Sequence, residues 1–295
     1  MLGVSERTVV RRAAPLYQDR TLRATAVRNP ALFPHLVPTV LRIRCRPARI
    51  TAIAAALARR SDTVWVDILG GGDEICIVAF IEGPDARNNL LLRDLPVTAA
   101  VQSWTAYDLL KVFPAGFAWS AGLLSEEESQ VLWPDLTRPP EVLSPLPEDK
   151  PLIDALVEDA RMTYGELAHR TGRTPRAVQR RLHALVEAHV VRLATEVDLA
   201  LLGVHAEALL WITVDPGAWE EAGQVLSQHP QVRFTAATTG SSSLLVAVAA
   251  SDLSALYTFL TGTVGALTGV YGIEVTPILT GVKRTGLVRR AAVTL

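Results

Sequence analysis

The sequence predicts an α+β fold in which a helical segment and a β-α-β-β-α-β module each occur twice along the chain. Two observations support this prediction. The chain has 295 residues, of which 49% are hydrophobic, and this is more chain than one compact domain usually needs. The chain also matches itself at an offset of about 169 residues, and self-similarity at a fixed offset is typical of a repeat architecture. We therefore expect two copies of one unit.

The internal match is clearest near the start of the chain, where residues 3–12 align with residues 172–181. We expect a one-residue slip in the alignment near Val64 and Val232. At the same offset the following identical pairs align: Leu16 with Leu185, Arg23 with Arg192, Leu32 with Leu201, Pro47 with Pro216, Gly71 with Gly240, Val101 with Val270 and Leu110 with Leu279.

The formal net charge of −1 conceals an uneven distribution. Residues 1–60 hold 12 arginines against two acidic side chains, whereas residues 61–150 hold 15 acidic side chains against five basic ones. A second basic cluster lies between residues 173 and 192. The chain as a whole has no field that attracts polyanions, so any binding of nucleic acid must come from these local arginine clusters.

Composition also predicts where the protein acts. Cys45 and Cys76 are too few for a disulfide framework. The first residues lack the basic and apolar segments of a signal peptide. Apolar stretches such as residues 208–214 fall well short of the roughly 20 residues that span a bilayer. We expect a cytoplasmic protein with no membrane partner.

The second copy begins with two predicted helices. Leu152, Ile153, Leu156 and Val157 recur at helical spacing and predict the first. Residues 163–166 have the spacing of a capping box, in which a threonine and a glutamate satisfy free backbone donors at a helix start. This motif predicts the beginning of a second helix.

A third helix follows the turn at Gly172. Thr174 is a favourable N-cap residue, and Pro175 suits the first helical position because its missing N–H is not needed there. The inner face carries Val178, Leu182 and Leu185, and residues 190–193 predict the first strand of a small wing. The outer face and the start of the helix carry polar side chains: Arg173, Arg176, Gln179, Arg180 and His183.

This layout is that of a helix-turn-helix, whose last helix enters the major groove of DNA N-terminus first. Arginine reads guanine and glutamine reads adenine, whereas hydroxyl groups and helix-start amides hold phosphates. We expect Arg176 and Gln179 to read bases, and Thr174, Arg173 and Arg180 to hold phosphates. A merely solvated arginine face is the alternative. The first-copy counterparts are Ser5, Arg7, Thr8, Arg11 and Arg12.

The rest of each copy is predicted to be a sheet with two helices. Residues 209–214, 232–238, 244–250 and 270–279 have strand character, and residues 219–228 and 253–260 have helical character. The order β-α-β-β-α-β predicts a ferredoxin-like sandwich with helices on one face. The other face must be covered by a second sheet, from the other copy or from another chain.

The expected domain organisation has six segments. They are a partial helix-turn-helix and wing (1–34), a first β-α-β-β-α-β ligand-sensing and oligomerisation module (35–113), a linker (114–147), a complete winged helix-turn-helix (148–203), a second β-α-β-β-α-β module (204–281) and a tail (282–295).

These modules resemble the Lrp/AsnC (leucine-responsive and asparagine-operon) family of transcriptional regulators. Residues 172–182, the strand entry at residues 190–192 and Gly240 carry the resemblance. It covers nearly the whole chain as two family units in tandem, where the common family member has one. The resemblance implies double-stranded DNA as a partner, homo-oligomers formed through the β-modules, and small effectors, often amino acids, bound near the hairpin between the second and third strands.

In the family that hairpin tends to carry a Gly-x-x-Asp pattern. The first copy reads Gly-Gly-Gly-Asp over residues 70–73, and the second reads Gly-Ser-Ser-Ser over residues 240–243. The candidate effector contacts are Gly71, Gly72 and Asp73 in the first copy and Gly240, Ser242 and Ser243 in the second. A carboxylate holds an ammonium group more strongly than a serine does, so we expect amino-acid binding at the first hairpin rather than the second. Tight turns that need positive φ are the alternative explanation for the glycines.

The first copy departs from the pattern because nothing precedes Gly3 to match the first two helices of the second copy. A helix from Val4 to Leu16 would lack a scaffold and would contain Pro15, and such short lone helices are marginal in water. Two explanations are open: an upstream segment missing from the gene model, which we favour, or decay of the first DNA-reading unit.

Searches for catalytic motifs find no zinc-hydrolase spacing, nucleophile elbow, phosphate loop or dinucleotide fingerprint. We therefore expect a non-enzyme without cofactor or metal. Two alternatives remain open. Sirohaem decarboxylases resemble the same two-module architecture, and a chromosome-organising DNA-binding protein would differ only in lacking an effector response.

Overall fold

The computed structural model describes residues 3–113, 119, 124, 125, 127, 128 and 144–289. The chain divides into two compact units. We call residues 3–34, 144–198 and 285–287 the helical unit, and residues 35–113 and 199–284 the sheet unit. In the described part of the chain no helix is long and apolar enough to cross a membrane. The predicted linker at 114–147 lies largely outside the described residues.

The strands, and the α-helices of six or more residues, follow in chain order. Those before residue 114 are α1 (Glu6–Gln18), β1 (Leu22–Arg28), β2 (Leu36–Cys45), α2 (Ile50–Ala58), β3 (Thr63–Leu69), β4 (Glu74–Glu82), α3 (Gly83–Asn89) and β5 (Val101–Val112). Those after residue 143 are α4 (Lys150–Glu158), α5 (Tyr164–Thr171), α6 (Pro175–Glu187), β6 (Val191–Val197), β7 (Ala206–Val214), α7 (Trp219–Ser227), β8 (Val232–Thr238), β9 (Leu244–Ala250), α8 (Leu253–Thr258), β10 (Val270–Arg284) and β11 (Leu287–Val288).

The helical unit contains the three predicted helices of the second copy, α4 to α6. Their inner faces bury Leu152, Leu156, Leu167, Val178 and Leu185, the apolar positions that recur at helical spacing. The helices therefore form a compact scaffold with α6 as its last member.

A buried charge joins the two ends of this scaffold. The Asp149 side chain has no exposed surface and accepts a 2.9 Å hydrogen bond from Nε of Arg181 and a 2.8 Å bond from the Leu146 amide. Burial works to raise the pKa of Asp149, but the hydrogen bonds and positive charge of Arg181 outweigh it and lower that pKa. The pair ties α6 to the start of α4.

Strands β1 and β6 pair with each other as an antiparallel two-stranded sheet, from Leu22 opposite Val197 to Arg28 opposite Val191. This differs from the expected wing, in which residues 190–193 would start a separate hairpin. The helix α4 covers β1, where the buried Thr25 hydroxyl donates a 2.7 Å hydrogen bond to the Val157 carbonyl. The facing edges of the two strands thus satisfy each other's backbone groups.

The sheet unit contains two β-α-β-β-α-β modules that close into one ring. We call β2 to β5 the first module and β7 to β10 the second module. Eight strands follow in the order β10, β3, β4, β2, β5, β8, β9, β7, and β7 pairs with β10 to complete the ring. The modules join where β5 meets β8 and where β10 meets β3. The second sheet expected over each module is therefore the other module.

Each module also completes the helix-covered core of the other. Phe113, at the end of β5, is buried among the core residues of the second module. Val282, near the end of β10, is buried in the core of the first module. The ends of both last strands thus cross between the modules, so neither core is complete on its own.

Two expectations about residue positions need correction. The slip near Val64 and Val232 does not occur, because both strand pairs contain the same irregularity: it falls between Thr63 and Trp65 in β3 and between Val232 and Phe234 in β8. The second module does not end at residue 281. The strand β10 continues to Arg284, which is 2% exposed and lies 3.1 Å from the Asp67 carboxylate.

We predict that Gly223→Ala destabilises the sheet unit. A Cβ atom at Gly223 would lie 2.1 Å from Cζ of the buried Phe113 ring, and overpacking of a core costs about 1–3 kcal/mol. Urea unfolding should show this loss. The control is Gly217→Ala, where a Cβ meets open space. Equal stability of the two variants would contradict the packing described for Phe113.

We predict that Asp149→Ala destabilises the helical unit by about 3 kcal/mol, because it leaves Arg181 without its counter-charge. Asp154→Ala is the matched control, since Asp154 forms an exposed pair with Lys150 that contributes about 0.5 kcal/mol. Because the folded-state pKa of Asp149 is lowered from 3.8, its stabilisation is present above pH 3.8 and disappears as pH falls further. Thermal unfolding against pH measures both effects, and identical profiles for the two variants would contradict them.

Candidate nucleic-acid interface and effector-site hairpins

Two capped helix starts position the second helix-turn-helix. The Thr163 amide donates a 2.7 Å hydrogen bond to Glu166, whose own amide donates to the Thr163 hydroxyl at 3.2 Å. The turn between α5 and α6 has Gly172 at φ +66°, in the left-handed region that glycine adopts without strain. Thr174 accepts a 3.3 Å bond from the Ala177 amide. Local chemistry therefore fixes where α6 begins.

The helix α6 buries one face and exposes the other. Its apolar residues Val178, Leu182 and Leu185 are buried. The exposed residues include most of those predicted to bind DNA: Thr174, Arg176, Gln179 and Arg180, with His183 beside them. A helix with a continuous exposed row of hydrogen-bond donors suits the floor of a major groove.

Arg173, which is predicted to hold a phosphate, also contacts the scaffold. Its guanidinium donates a 2.8 Å hydrogen bond to the Glu148 carbonyl and lies 3.6 Å from the buried Asp149 carboxylate. The side chain is therefore engaged in the scaffold. Sequence reasoning missed Asp149 and Arg181 as a pair, because Asp149 lies in a run of acidic and proline residues that reads as a solvated loop.

The backbone of residues 3–28 reproduces that of residues 172–197. At the offset that aligns these two segments, α1 has the same bounds as α6, and the two N-caps, Ser5 and Thr174, each accept from the amide three residues later. Arg20 and His189 occupy equivalent positions and both have positive φ, at +65° and +54°. The helix α1 is therefore the first-copy counterpart of α6 in conformation as well as in sequence.

The surroundings of α1 and α6 differ. The helix α1 has no buried residue, and Val9, Val10 and Leu16 are exposed. Pro15 lies inside the helix, three residues before its end. The predicted basic side chains Arg7, Arg11 and Arg12 are exposed, while Thr8 is half-buried and hydrogen-bonded to Ser5 at 3.0 Å.

The second-copy hairpin is a structural turn. Gly240 has φ +94°, and a Cβ there would lie 2.8 Å from the Tyr107 ring. The buried Ser243 hydroxyl donates to the Val214 carbonyl at 3.0 Å and accepts from the Val214 amide at 3.1 Å. The Ser242 carbonyl accepts from Thr238. These contacts support the turn explanation for Gly240 and leave Ser243 engaged in joining β9 to β7.

The first-copy hairpin is more open. Gly71 is exposed, and Gly72 and Asp73 are half-exposed. Gly72 has φ +70°, which accounts for a glycine at that position. The Asp73 carbonyl accepts a 2.7 Å hydrogen bond from the Cys45 amide, which holds the backbone while the carboxylate remains at the surface.

A cluster of charged and aromatic side chains lies on the inner faces of the two modules. The Arg42 guanidinium is 4.8 Å from the centre of the Trp211 ring and hydrogen-bonds to Glu74 and Glu274. Burial opposes the charge of Arg42, but these carboxylates outweigh it and raise the pKa of the guanidinium. Tyr107 packs on Trp211 at 5.1 Å. Sequence reasoning missed this cluster, because it joins residues of several strands that lie far apart in the chain.

Among the described residues, no group of three or more histidine, cysteine, aspartate or glutamate side chains is placed to hold a metal ion. Cys45 and Cys76 are buried free thiols, and burial raises the pKa of the Cys45 thiol to about 11. Both cysteines are therefore poorly suited to nucleophilic chemistry.

Comparison with known proteins finds two domain matches in the second half of the chain. Residues 149–186 match the AsnC-type helix-turn-helix domain, and residues 207–288 match the Lrp/AsnC ligand binding domain. An uncharacterized HTH-type transcriptional regulator of Pyrococcus horikoshii is 28% identical over 142 residues, which are 48% of this chain and 89% of that protein. The transcriptional regulator AzlB of Bacillus subtilis is 28% identical over 141 residues, covering 46% of this chain and 90% of AzlB.

A solved structure matches both halves. The siroheme decarboxylase NirDL has a TM-score of 0.56 and covers 96% of this chain and 84% of its own chain, at 14% identity. At that identity the likeness shows a shared fold.

The two family matches follow one another in the order of the structural modules, with the capped, basic α6 in the first and the strands β7 to β10 in the second. Residues 149–186 and 207–288 are thus similar, in the same order, to the helix-turn-helix and ligand binding domains of Lrp/AsnC transcriptional regulators.

Proposed function

We propose that this chain is a sequence-specific transcription regulator that carries two Lrp/AsnC units in tandem. The observation that carries the proposal is the exposed polar face of α6 on a complete helix-turn-helix scaffold. Arg176 and Gln179 contact base edges, and Thr174 and Arg180 contact phosphates. Arg173 is held by its contacts with Glu148 and Asp149 beside the turn before α6. It contacts a phosphate from that fixed position.

In the first unit the corresponding residues are Ser5, Arg7, Thr8, Arg11 and Arg12. The bounds of α1 and α6 match at the offset of 169 residues, which supports this assignment. The pairing of β1 with β6 also supports it, because the register is unchanged when each residue is replaced by its equivalent in the other strand. The ring of the sheet unit has the same property, since Leu109 faces Thr238 and Ile278 faces Leu69. One chain thus supplies what two subunits supply in a symmetric dimer.

The proposed domain organisation follows from these elements. The first of the two Lrp/AsnC units comprises a helix and strand (3–28) and the first module (36–112). The second comprises a helix-turn-helix (149–197) and a module (206–284). We propose further self-association through the β-modules.

We also propose a small effector, such as an amino acid, at the first hairpin. The match of residues 207–288, in the second module, to a ligand binding domain supports an effector for this type of module. In the first module, the half-exposed Asp73 between strands β3 and β4 supplies a carboxylate for an ammonium group. The second hairpin is the weaker candidate, because Tyr107 fills the space above Gly240 and Ser243 is buried.

A decarboxylase of the NirDL type is the alternative function, favoured by the likeness in fold across both halves. A decarboxylase does not need an exposed basic helix within a helix-turn-helix. Titrating the purified chain with an iron tetrapyrrole separates the two: a saturable absorbance change without preference for any DNA sequence would favour the enzyme.

We predict that Arg176→Ala and Arg180→Ala affect DNA binding differently. Arg176→Ala should weaken binding to a selected cognate duplex by about 1–3 kcal/mol and leave random duplex nearly unaffected. Arg180→Ala should weaken both equally and reduce the salt slope by about one. Mobility-shift titrations at several salt concentrations measure these effects.

The control for both variants is Arg59→Ala, an exposed arginine after α2 in the sheet unit, which should change neither affinity. Equal losses on cognate and random duplex for Arg176→Ala would overturn its assignment as a base-reading residue.

We predict that an amino-acid effector raises the melting temperature through Asp73. A ligand at about 100 times its Kd adds about 2.7 kcal/mol of stability, a shift of several degrees. Asp73→Asn should abolish the shift, and Asp85→Asn, an exposed carboxylate at the start of α3, should preserve it. If none of the twenty amino acids shifts melting, a chromosome-organising protein without effector becomes the better description.

A further inference from the structure

The two proposed DNA-reading helices, α1 and α6, have the same backbone conformation but different exposed side chains. Exposed arginines occupy two equivalent pairs of positions, Arg7 with Arg176 and Arg11 with Arg180. Between them the pattern changes, because Val10 stands where α6 has Gln179. Both residues are exposed, and Val10 keeps 58% of its surface accessible.

A further difference lies one turn later, where Ala14 stands at the position of His183. The exposed row of α6 is thus Arg, Gln, Arg, His, whereas the equivalent positions of α1 hold Arg, Val, Arg and a half-buried Ala. The positions correspond residue by residue, because the caps, the helix bounds and the residues of positive φ after each helix all coincide at one offset.

The two helices are arranged as in a two-fold dimer. The antiparallel pairing of β1 with β6 is unchanged when each residue is exchanged for its equivalent: Leu22 faces Val197, and Arg28 faces Val191. Each helix is joined to its strand by three residues, 19–21 and 188–190. The half-sites that they face are therefore inverted relative to one another, as in operators bound by symmetric dimers.

The chemistry of the two faces is not equivalent. A glutamine reads adenine by paired hydrogen bonds to N6 and N7, whereas a valine makes only apolar contact, which suits the methyl group of thymine. A homodimer presents the same helix twice and so selects a palindrome. Two helices encoded separately in one chain are free of that constraint.

We infer that the DNA partner of this chain is an inverted pair of unlike half-sites. Both halves carry the guanine read by Arg7 or Arg176, and they differ at the base pair that faces Val10 or Gln179. Adenine is selected under Gln179, and no adenine is selected under Val10. This inference rests on the proposed function, since it specifies the sequence that the two reading helices recognise.

The test is selection of binding sites by the full-length chain from a random duplex library, followed by titration of designed sites. Wild-type protein should select one bipartite, non-palindromic site. Val10→Gln should shift the selection towards a palindrome of the Gln179 half-site and tighten binding to that palindrome by about 5- to 150-fold. Gln179→Val is the reciprocal variant and should favour a palindrome of the other half-site.

The outcomes separate this inference from the proposed function. A palindromic site selected by wild-type protein would overturn the inference and leave sequence-specific binding intact. So would a single half-site whose affinity is unchanged by Arg7→Ala, because α1 would then read no base. Failure to prefer any sequence over random duplex would overturn the proposed function itself. Melting curves of each variant show that it is folded, since both exchanges lie on exposed helix positions.

Discussion

The closure of one ring of strands by two modules is the constraint on which the sheet unit depends. Each module alone would leave two strand edges, β3 and β5 or β8 and β10, with unpaired backbone groups, and one sheet face uncovered. Pairing of β5 with β8 and of β10 with β3 satisfies all of these at once. Phe113 of the first module is buried in the core of the second, and Val282 of the second module is buried in the core of the first. The two modules are therefore joined by side-chain packing as well as by backbone hydrogen bonds.

At the middle of this ring, residues at the same position of the two modules contact each other, although they are of different types. Arg42 lies over Trp211, and Trp65 meets Phe234 edge to face at 5.0 Å. The two residues of each pair occupy the same position in the first and second module. If the two modules were identical, each of these residues would contact an identical residue. The two modules therefore have the same topology but different side chains at these positions, just as α1 and α6 have matching bounds but differ at Val10 and Gln179.

The features that sequence reasoning could predict are those encoded locally. The capping box at Thr163, the N-cap at Thr174 and the apolar spacing of α6 depend on neighbours within one or two turns, and each element appears where its pattern predicts it. Contacts between distant residues carried no such signal. Asp149 and Arg181 are 32 residues apart, and the space above Gly240 is filled by Tyr107 from another module. For the same reason, sequence patterns could not reveal that the scaffold engages Arg173 and Ser243.

Closure of the ring within one polypeptide changes how the protein responds to dilution. A symmetric dimer dissociates as its concentration falls, because its association depends on mass action. Modules tethered in one chain instead meet at an effective concentration that is set by the connecting segment and does not fall on dilution. The ring therefore stays assembled however dilute the chain becomes, so dilution does not separate the two modules.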